Sequence, residues 1–462
     1  MAFTLVKRRL AAAGAASVLA LSMALGAVAQ PPPASAPAAT DGTEVSGKLA
    51  NGTRYAMHRP AQWNGVLVLT PDLENRPGFN DALHKLGYAT GNRARDVTNW
   101  QVRDGSSDLV QLKALFADRF DAPTRTIIIG GSLGGLVTRD AGETYPNEFQ
   151  GVIPTCGGGA GLIAMYNNRL DAAFALKQLL APDDTAIELD HVTDDARNAK
   201  AMRAAVDKAM ATPQGRARLA LIAAIGQLPT WPANAAKPAA ADVDVQLKSI
   251  SDAAALILNL KADVEKAAGG TFSWNVGVDY RAMFLQAGPE AITLARDLYR
   301  TAGLDLEADL AVVQAAPRRQ ADAEALAWAR VNGAPTGRLR SPTFALFTAA
   351  DPRAPLSEFR SYQKTVDEAG ATALLRQAGV ARSGHCAFQG AERLVAVDIM
   401  DERLRTGRWP ATTPAALNAR AEALAAKVSG MGAPRFAEFP GVPAYQRQFG
   451  SKDRAPAGAI KP

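Results

Sequence analysis

Thr126-Ile127-Ile128-Ile129-Gly130-Gly131-Ser132-Leu133-Gly134-Gly135 is the stretch on which the fold turns. Its first four residues are all β-branched and predict a buried strand. Gly130 to Gly134 fits the pattern G-x-S-x-G, and the composition from Leu133 to Thr144 predicts a helix. Strand, sharp turn and helix form the setting in which this pattern presents a nucleophilic serine. A serine at the apex of such a turn is held in a strained conformation, and side chains at Gly130 and Gly134 would collide with the flanking strand and helix. Gly131 and Gly135 are expected to leave the backbone open to an approaching substrate. The helix N-terminus aims positive potential at the place where an oxyanion would develop.

A serine hydroxyl is a weak nucleophile until a base takes its proton. The chain offers four histidines, His58, His84, His191 and His385. His58 falls on an N-terminal hairpin, His84 inside a helix, and His191 beside Asp190 in a helical region. His385 alone follows a late strand, in the loop Ser383-Gly384-His385, which brings it to the edge of the sheet where Ser132 must also sit. The acid that orients such a base is expected at the same edge. Asp351 meets that condition, between the strand Thr343 to Thr348 and Pro352. It would also suit a turn or the cap of a helix starting near Pro355. Asp367 and Asp398 lie nearer His385 in sequence but fall on helices. One oxyanion donor is expected to be the N–H of Leu133. The other belongs to the loop Thr70-Pro71-Asp72-Leu73, where Pro71 has no N–H and Asp72 or Leu73 must donate, with the Asp72 carboxylate turned away.

Around this centre, strands and helices alternate. Thr43 to Leu49 and Thr53 to His58 flank Asn51-Gly52, a strong hairpin signal. Gly65 to Thr70, Tyr88 to Gly91 and Gly151 to Thr155 read as strands, with helices at Phe79 to Leu86 and Ser106 to Phe120. From about Ala160 to Arg340 the chain is Ala-rich and helical in period, with candidate helices at Leu162 to Leu180, Asp195 to Met210, Ala241 to Ala268 and Pro289 to Thr301. Strand signals resume at Pro342 to Thr348 and Thr372 to Arg376, separated by a helix at Leu356 to Ala369. Helices follow at Glu392 to Arg405 and Pro414 to Val428, the latter opened by Thr413 as N-cap with Pro414 at the first turn. The pattern predicts a mostly parallel sheet flanked by helices, interrupted by a helical insertion acting as a lid. The core would comprise residues 43–159 and 341–462, the insertion residues 160–340.

The first residues read as an address. Lys7-Arg8-Arg9 precedes the Ala/Leu-rich run Leu10 to Gly26 and the small-residue signal Ala27-Val28-Ala29, which predicts a secretory signal peptide over 1–29. A Pro/Ala-rich tether over 30–42 follows. Removing that segment takes three cations from a net charge of +6, leaving +3. No block of Lys and Arg with interleaved aromatics follows it, so nucleic acid is not an expected partner, and no later run is long and apolar enough to span a membrane. A periplasmic or secreted protein with two cysteines, Cys156 and Cys386, is expected to join them. No cluster with metal-ligand spacing appears, and neither a metal nor an organic cofactor is expected.

Ser132, Asp351 and His385, in that order on alternating strands and helices, resemble the secreted bacterial α/β-hydrolases over Thr43 to about Arg405, apart from the insertion. The resemblance implies an α/β-hydrolase fold. His385-Cys386 also resembles half of a motif of tannases and feruloyl esterases, in which a cysteine beside the serine bonds one beside the histidine. Gly131 stands where that first cysteine would be, and Cys156 at the tip of the next strand would replace it. The expected activity is hydrolysis of a small-molecule carboxylic ester through an acyl-enzyme. The same residues would support a peptidase or amidase, though no propeller-like run of strands precedes them. A catalytically inactive binding protein is disfavoured by the intact Ser, His and Asp. Trp100 and the cluster Phe272, Trp274 and Tyr280 are candidate contacts for an apolar or aromatic group.

Overall fold

The computed structural model describes residues 42, 44–72, 78–95, 100–157 and 159–441. The expected signal peptide, nearly all of the tether, Leu73 and the last 21 residues lie outside them. β1 (Glu44–Lys48) and β2 (Arg54–His58) form the antiparallel hairpin that Asn51-Gly52 predicts, with Gly52 at φ 88° in the turn. β3 (Val66–Thr70), α1 (Phe79–Lys85), β4 (Ala89–Arg93), α2 (Val102–Arg119), β5 (Arg125–Gly131), α3 (Leu133–Thr144) and β6 (Gly151–Thr155) follow in alternation. After an insertion come β7 (Thr343–Ala350), a helix at Ser357–Glu368, β8 (Leu375–Ser383), helices at Gly390–Thr406 and Pro414–Ala425, and β9 (Phe436–Ala437).

Among the described residues these strands form one sheet in the order β1-β2-β4-β3-β5-β6-β7-β8-β9. Pairing is parallel from β4 through β8 and antiparallel at β1–β2, β2–β4 and β8–β9. This is the α/β-hydrolase sheet. Chain order reverses where β3 lies between β4 and β5, so connections leave in opposite directions and open a crevice at the strands' C-terminal ends. Val66 to Leu69 and Ile127 to Ile129 are buried on both faces, as central parallel strands must be. One face packs against α2 and α3 through Leu109, Leu112, Leu136 and Val137. The other packs against α1 and the two C-terminal helices through Leu83, Leu394, Val395 and Leu417.

Between β6 and β7 the described residues of the insertion form helices and the loops that join them, with no strand: α4 (Gly161–Leu180), α5 (Asp195–Met210), α6 (Pro213–Gly226), α7 (Val243–Ala254), α8 (Lys261–Ala268), α9 (Tyr280–Leu285), α10 (Pro289–Ala302), α11 (Leu306–Ala315) and α12 (Ala323–Gly333). It has a core of its own, with Phe174, Leu221, Ile222, Ile250 and Tyr299 buried together. Its α4, α8 and α12 also share a core with α2 and α3 through Tyr166, Val264 and Ala329. The two helices after β7 and β8 continue the numbering as α13 (Ser357–Glu368) and α14 (Gly390–Thr406), and α15 (Pro414–Ala425) carries the expected cap, with Thr413 Oγ1 accepting from the Ala416 N–H. No helix among the described residues is long and apolar enough to cross a membrane.

Two sequence expectations change. Ala241 to Ala268 is two helices, broken at residues 255–260, with Leu260 at φ 66°. The break has no Gly or Pro; it is fixed from outside, because Asp195 Oδ1 accepts from the N–H groups of Lys261 and Ala262 at 3.0 and 3.1 Å. Such a long-range cap leaves no local trace. Thr372–Leu374 is a single 3₁₀ turn, and the strand runs instead from Leu375 to Ser383, held by nearly continuous pairing with β7 despite few β-branched residues. β9, only two residues long, has no pattern to read.

Cys156 and Cys386 are joined, with Cα atoms 5.1 Å apart across 230 residues of chain. The closed loop contains the whole insertion, and the chain-entropy account puts its stabilisation on the order of 5 kcal/mol.

Removing the outside cap should be felt. Asp195→Ala is expected to cost about 1 kcal/mol, the scale of a lost N-cap, seen as a lower urea midpoint, whereas Asp195→Asn keeps an acceptor and loses less. Equal midpoints for Asp195→Ala and wild type would mean that the carboxylate does not hold the turn.

Candidate active site

Ser132 is the residue between β5 and α3, at φ 57° and ψ −125°. That conformation is costly for a residue with a side chain and persists only where its surroundings dictate it. Here they do. A Cβ at Gly130 would stand 2.5 Å from the Gly134 carbonyl, and one at Gly134 would stand 2.4 Å from Asp72 Oδ2. Gly131 lines the cleft beside Ser132, whereas Gly135 does not and corrects the expectation of an opening toward substrate. A Cβ at Gly131 would meet Cys156 Sγ at 3.1 Å, and one at Gly135 would meet the Thr155 and Gly157 carbonyls at 2.7 Å, so both are small to admit the end of β6.

His385 Nε2 lies 2.8 Å from Ser132 Oγ. Its Nδ1 lies 2.9 and 3.0 Å from the two carboxylate oxygens of Asp351. Asp351 is 2% exposed, and its charge is met by backbone as well as by the imidazole. Oδ1 accepts from the N–H groups of Arg353 and Ala354, and Oδ2 from that of Cys386. It is thus both the turn residue and the partner of His385. The rivals sit elsewhere: Asp367 accepts from Gln363 and Thr372, and Asp398 pairs with Arg420. Of the other histidines, His84 stacks on His58 and bonds Thr90, and burial pushes it down to about 4. His191 is exposed near Asp322.

The N–H of Leu133, at the first position of α3, has no acceptor within its own helix. Asp72 also borders the site, yet its carboxylate does not swing clear of the elbow: Oδ1 accepts from Arg95 Nε at 2.8 Å, and Oδ2 rests over Gly134. The disulfide touches the same centre, since Cys386 Sγ is 3.7 Å from His385 Nε2.

These groups open onto a cleft of about 470 Å³. Phe79, Trp100, Leu133, Leu136, Met165 and Leu260 supply apolar wall, so Trp100 lies where the sequence suggests. Phe272, Trp274 and Tyr280 do not line it. Phe272 is edge-on to Tyr166 in the core shared by α4 and α8, and Trp274 packs beside it with its backbone N–H donating to Asn167 Oδ1. Tyr280 is buried in the insertion's own core, its hydroxyl donating to Asp171. Aromatic spacing cannot distinguish a wall from a core. What the sequence leaves unseen is the contribution of Met165 and Arg169, one turn apart on α4, and of Arg353, two residues past Asp351. Four-residue spacing was the only available hint.

Glu358 on α13 is a second buried carboxyl beside Asp351, 5% exposed. Burial, and then the charge of Asp351, push it up to about 8, while Arg169, Arg139 and the Gly159 N–H pull the other way. The folded protein therefore favours the neutral acid. Because the folded value lies above the unfolded one, its contribution is complete below about pH 4.5 and is lost as pH rises through about 8. Wild-type stability is expected to fall across that window by up to about 1.4 kcal/mol per pH unit from this group. Urea midpoints of Glu358→Gln should show a flatter profile, and identical slopes in the two proteins would contradict the assignment.

No family model matches the chain. It is 30% identical over 419 residues to an o-phthalyl amidase from Xanthobacter agilis, covering 82% of this chain and 91% of that one. Among solved structures it is similar to feruloyl esterase B from Aspergillus oryzae (13% identity, TM-score 0.40, 79% of this chain and 81% of that). It is also similar to a tannin acyl hydrolase from Aspergillus niger (13% identity, TM-score 0.39, 78% and 76%).

Proposed function

The chain belongs to the family of the o-phthalyl amidase of Xanthobacter agilis and is a hydrolase acting on esters or amides; from that premise we propose that it works through a serine acyl-enzyme, with an aromatic acyl amide as its substrate. The observation that carries the reading is the 2.8 Å separation of His385 Nε2 and Ser132 Oγ, with Asp351 on the far side of the ring. A proton on Nδ1 facing Asp351 leaves Nε2 free to accept the Ser132 hydroxyl proton as Oγ attacks the carbonyl carbon. The tetrahedral oxyanion would be met by the Leu133 N–H and a second donor from the loop at Asp72. Collapse breaks the C–N bond, and the proton held on His385 passes to the departing nitrogen. Water, deprotonated by the same imidazole, then releases the acid and restores Ser132.

An ester with the same acyl group would reach the same intermediate with an easier leaving group, so esterase activity accompanies this reading. Trp100 and the apolar wall suit an aromatic ring. The helices from α4 to α12 act as a lid, since α4, the α7–α8 turn and the start of α8 bring Met165, Arg169, Leu260 and Asp263 to the cleft. The Cys156–Cys386 bond supports an oxidising compartment and, with Lys7 to Ala29 read as a signal, export from the cytoplasm.

Ser132→Ala and His385→Ala are each expected to lower kcat/KM for an aryl ester by about 10⁴ or more while the circular dichroism stays native, and the double variant to fall no further, because such residues act as a unit. A double variant far slower than either single one, or substantial turnover by Ser132→Ala, would contradict the mechanism.

A further inference from the structure

The insertion meets the core at a second place, beside the loop that carries His385. Residues 227–242, which join α6 to α7, form a strap that reaches the end of β8. Its course is fixed locally. Pro229 and Pro232 restrict φ, and Asn234 stands at φ 58°, a region that asparagine tolerates. Trp231 Nε1 closes the strap on itself by donating to the Ala235 carbonyl at 2.9 Å. α7 holds both ends: Ser249 Oγ donates to the Pro229 carbonyl at 2.9 Å, and Gln246 Nε2 to the carbonyls of Ala239 and Ala240 at 3.1 and 3.0 Å.

The strap grips β8 at its last residue. Ser383, buried, donates through Oγ to the Pro232 carbonyl, and the Asn234 N–H donates to the Ser383 carbonyl at 3.3 Å. The next N–H, that of Gly384, donates to the Ala350 carbonyl at 2.9 Å, and the Gly384 carbonyl accepts from Thr348 Oγ1 at 3.2 Å. The C=O and N–H of one planar peptide unit point to opposite sides, so the chain leaving β8 is held by β7 on one side and by the strap on the other. His385 follows directly. Beside these bonds, a cavity of about 680 Å³ stands between the strap and the β7 loop, with Leu228, Pro229 and Trp231 on one wall and Ala349, Asp351 and Leu356 on another. The hold of the strap on the His385 loop is therefore concentrated at Ser383.

We infer that Ser383 is a positioning residue for the base: clamped by Pro232 and Asn234 of the strap, it sets the direction in which the chain leaves β8 and so the place of His385. This deepens the acyl-enzyme reading and rests on it. The insertion then serves the reaction twice, walling the cleft through α4 and holding the base through the strap. Ser383→Ala removes the Oγ donor from one end only, since the Pro232 carbonyl still accepts from the Ala235 N–H at 3.3 Å.

The test reads the base directly. Diisopropyl fluorophosphate reacts with a serine activated by its base, so its rate of labelling at Ser132 reports the Ser132–His385 contact. Ser383→Ala is expected to lower that rate and kcat for 4-nitrophenyl acetate together, by about 10-fold or more, because a small misplacement of a reacting group is costly. KM should stay within about twofold, since His385 serves acylation and deacylation alike. Ser383→Thr, which keeps the hydroxyl, should recover most of both rates. Trp231→Ala loosens the strap without touching β8 and should show the same pattern at about threefold; it decides the matter if Ser383→Ala does not fold. Rates are taken on folded protein well below the unfolding midpoint, where a loss of stability alone leaves them unchanged. Wild-type labelling and kcat in Ser383→Ala, or in Trp231→Ala where the first does not fold, would overturn the positioning role while leaving the acyl-enzyme reading intact. A wild type that turns over the ester with Ser132 unlabelled would end that reading, and this role with it.

Discussion

The buried Asp351 carboxylate is the interaction on which the arrangement of the site depends. It ends β7, accepts two N–H groups from its own turn, a third from Cys386, and the Nδ1 side of the His385 ring. An ionised carboxylate this deep is tolerated only when its lone pairs are filled, and here every partner comes from the β7 or β8 loop. Filling them fixes where His385 stands. The disulfide then ties that loop to the tip of β6, directly beside Gly131. His385, Asp351 and Ser132 are thus brought together by three loops at one edge of the sheet.

Much of this was legible in the chain because it is local or depends on order. The Thr126–Gly135 stretch, the Asn51-Gly52 hairpin and the Thr413-Pro414 cap each carry their structure in adjacent residues. Strand alternation then places Ser132, Asp351 and His385 at the same edge, whatever the exact boundaries. The rest depends on partners far away in sequence. Asp195 caps α8 from 66 residues off, and β8 is a strand by virtue of its neighbour. Phe272 and Tyr280 look like wall residues until the insertion's two cores are known.

The insertion divides its work between those cores. One holds the helices to each other, and the other seats α4, α8 and α12 on α2 and α3. The second sets the face of α4 that meets the cleft, so part of the cleft wall comes from outside the sheet. Charge is arranged accordingly. Of the carboxylates near Ser132, Asp72 is taken up by Arg95 and Asp351 by His385, while Glu358 favours its neutral form.

The central claim, a covalent intermediate on Ser132, is open to direct observation. Acid quenching of the enzyme during turnover of 4-nitrophenyl benzoate, followed by mass spectrometry of the digested protein, should place a benzoyl group on the peptide carrying Ser132, with none on that peptide in Ser132→Ala. A benzoyl group on another residue, formed and released at the rate of turnover, would contradict the account.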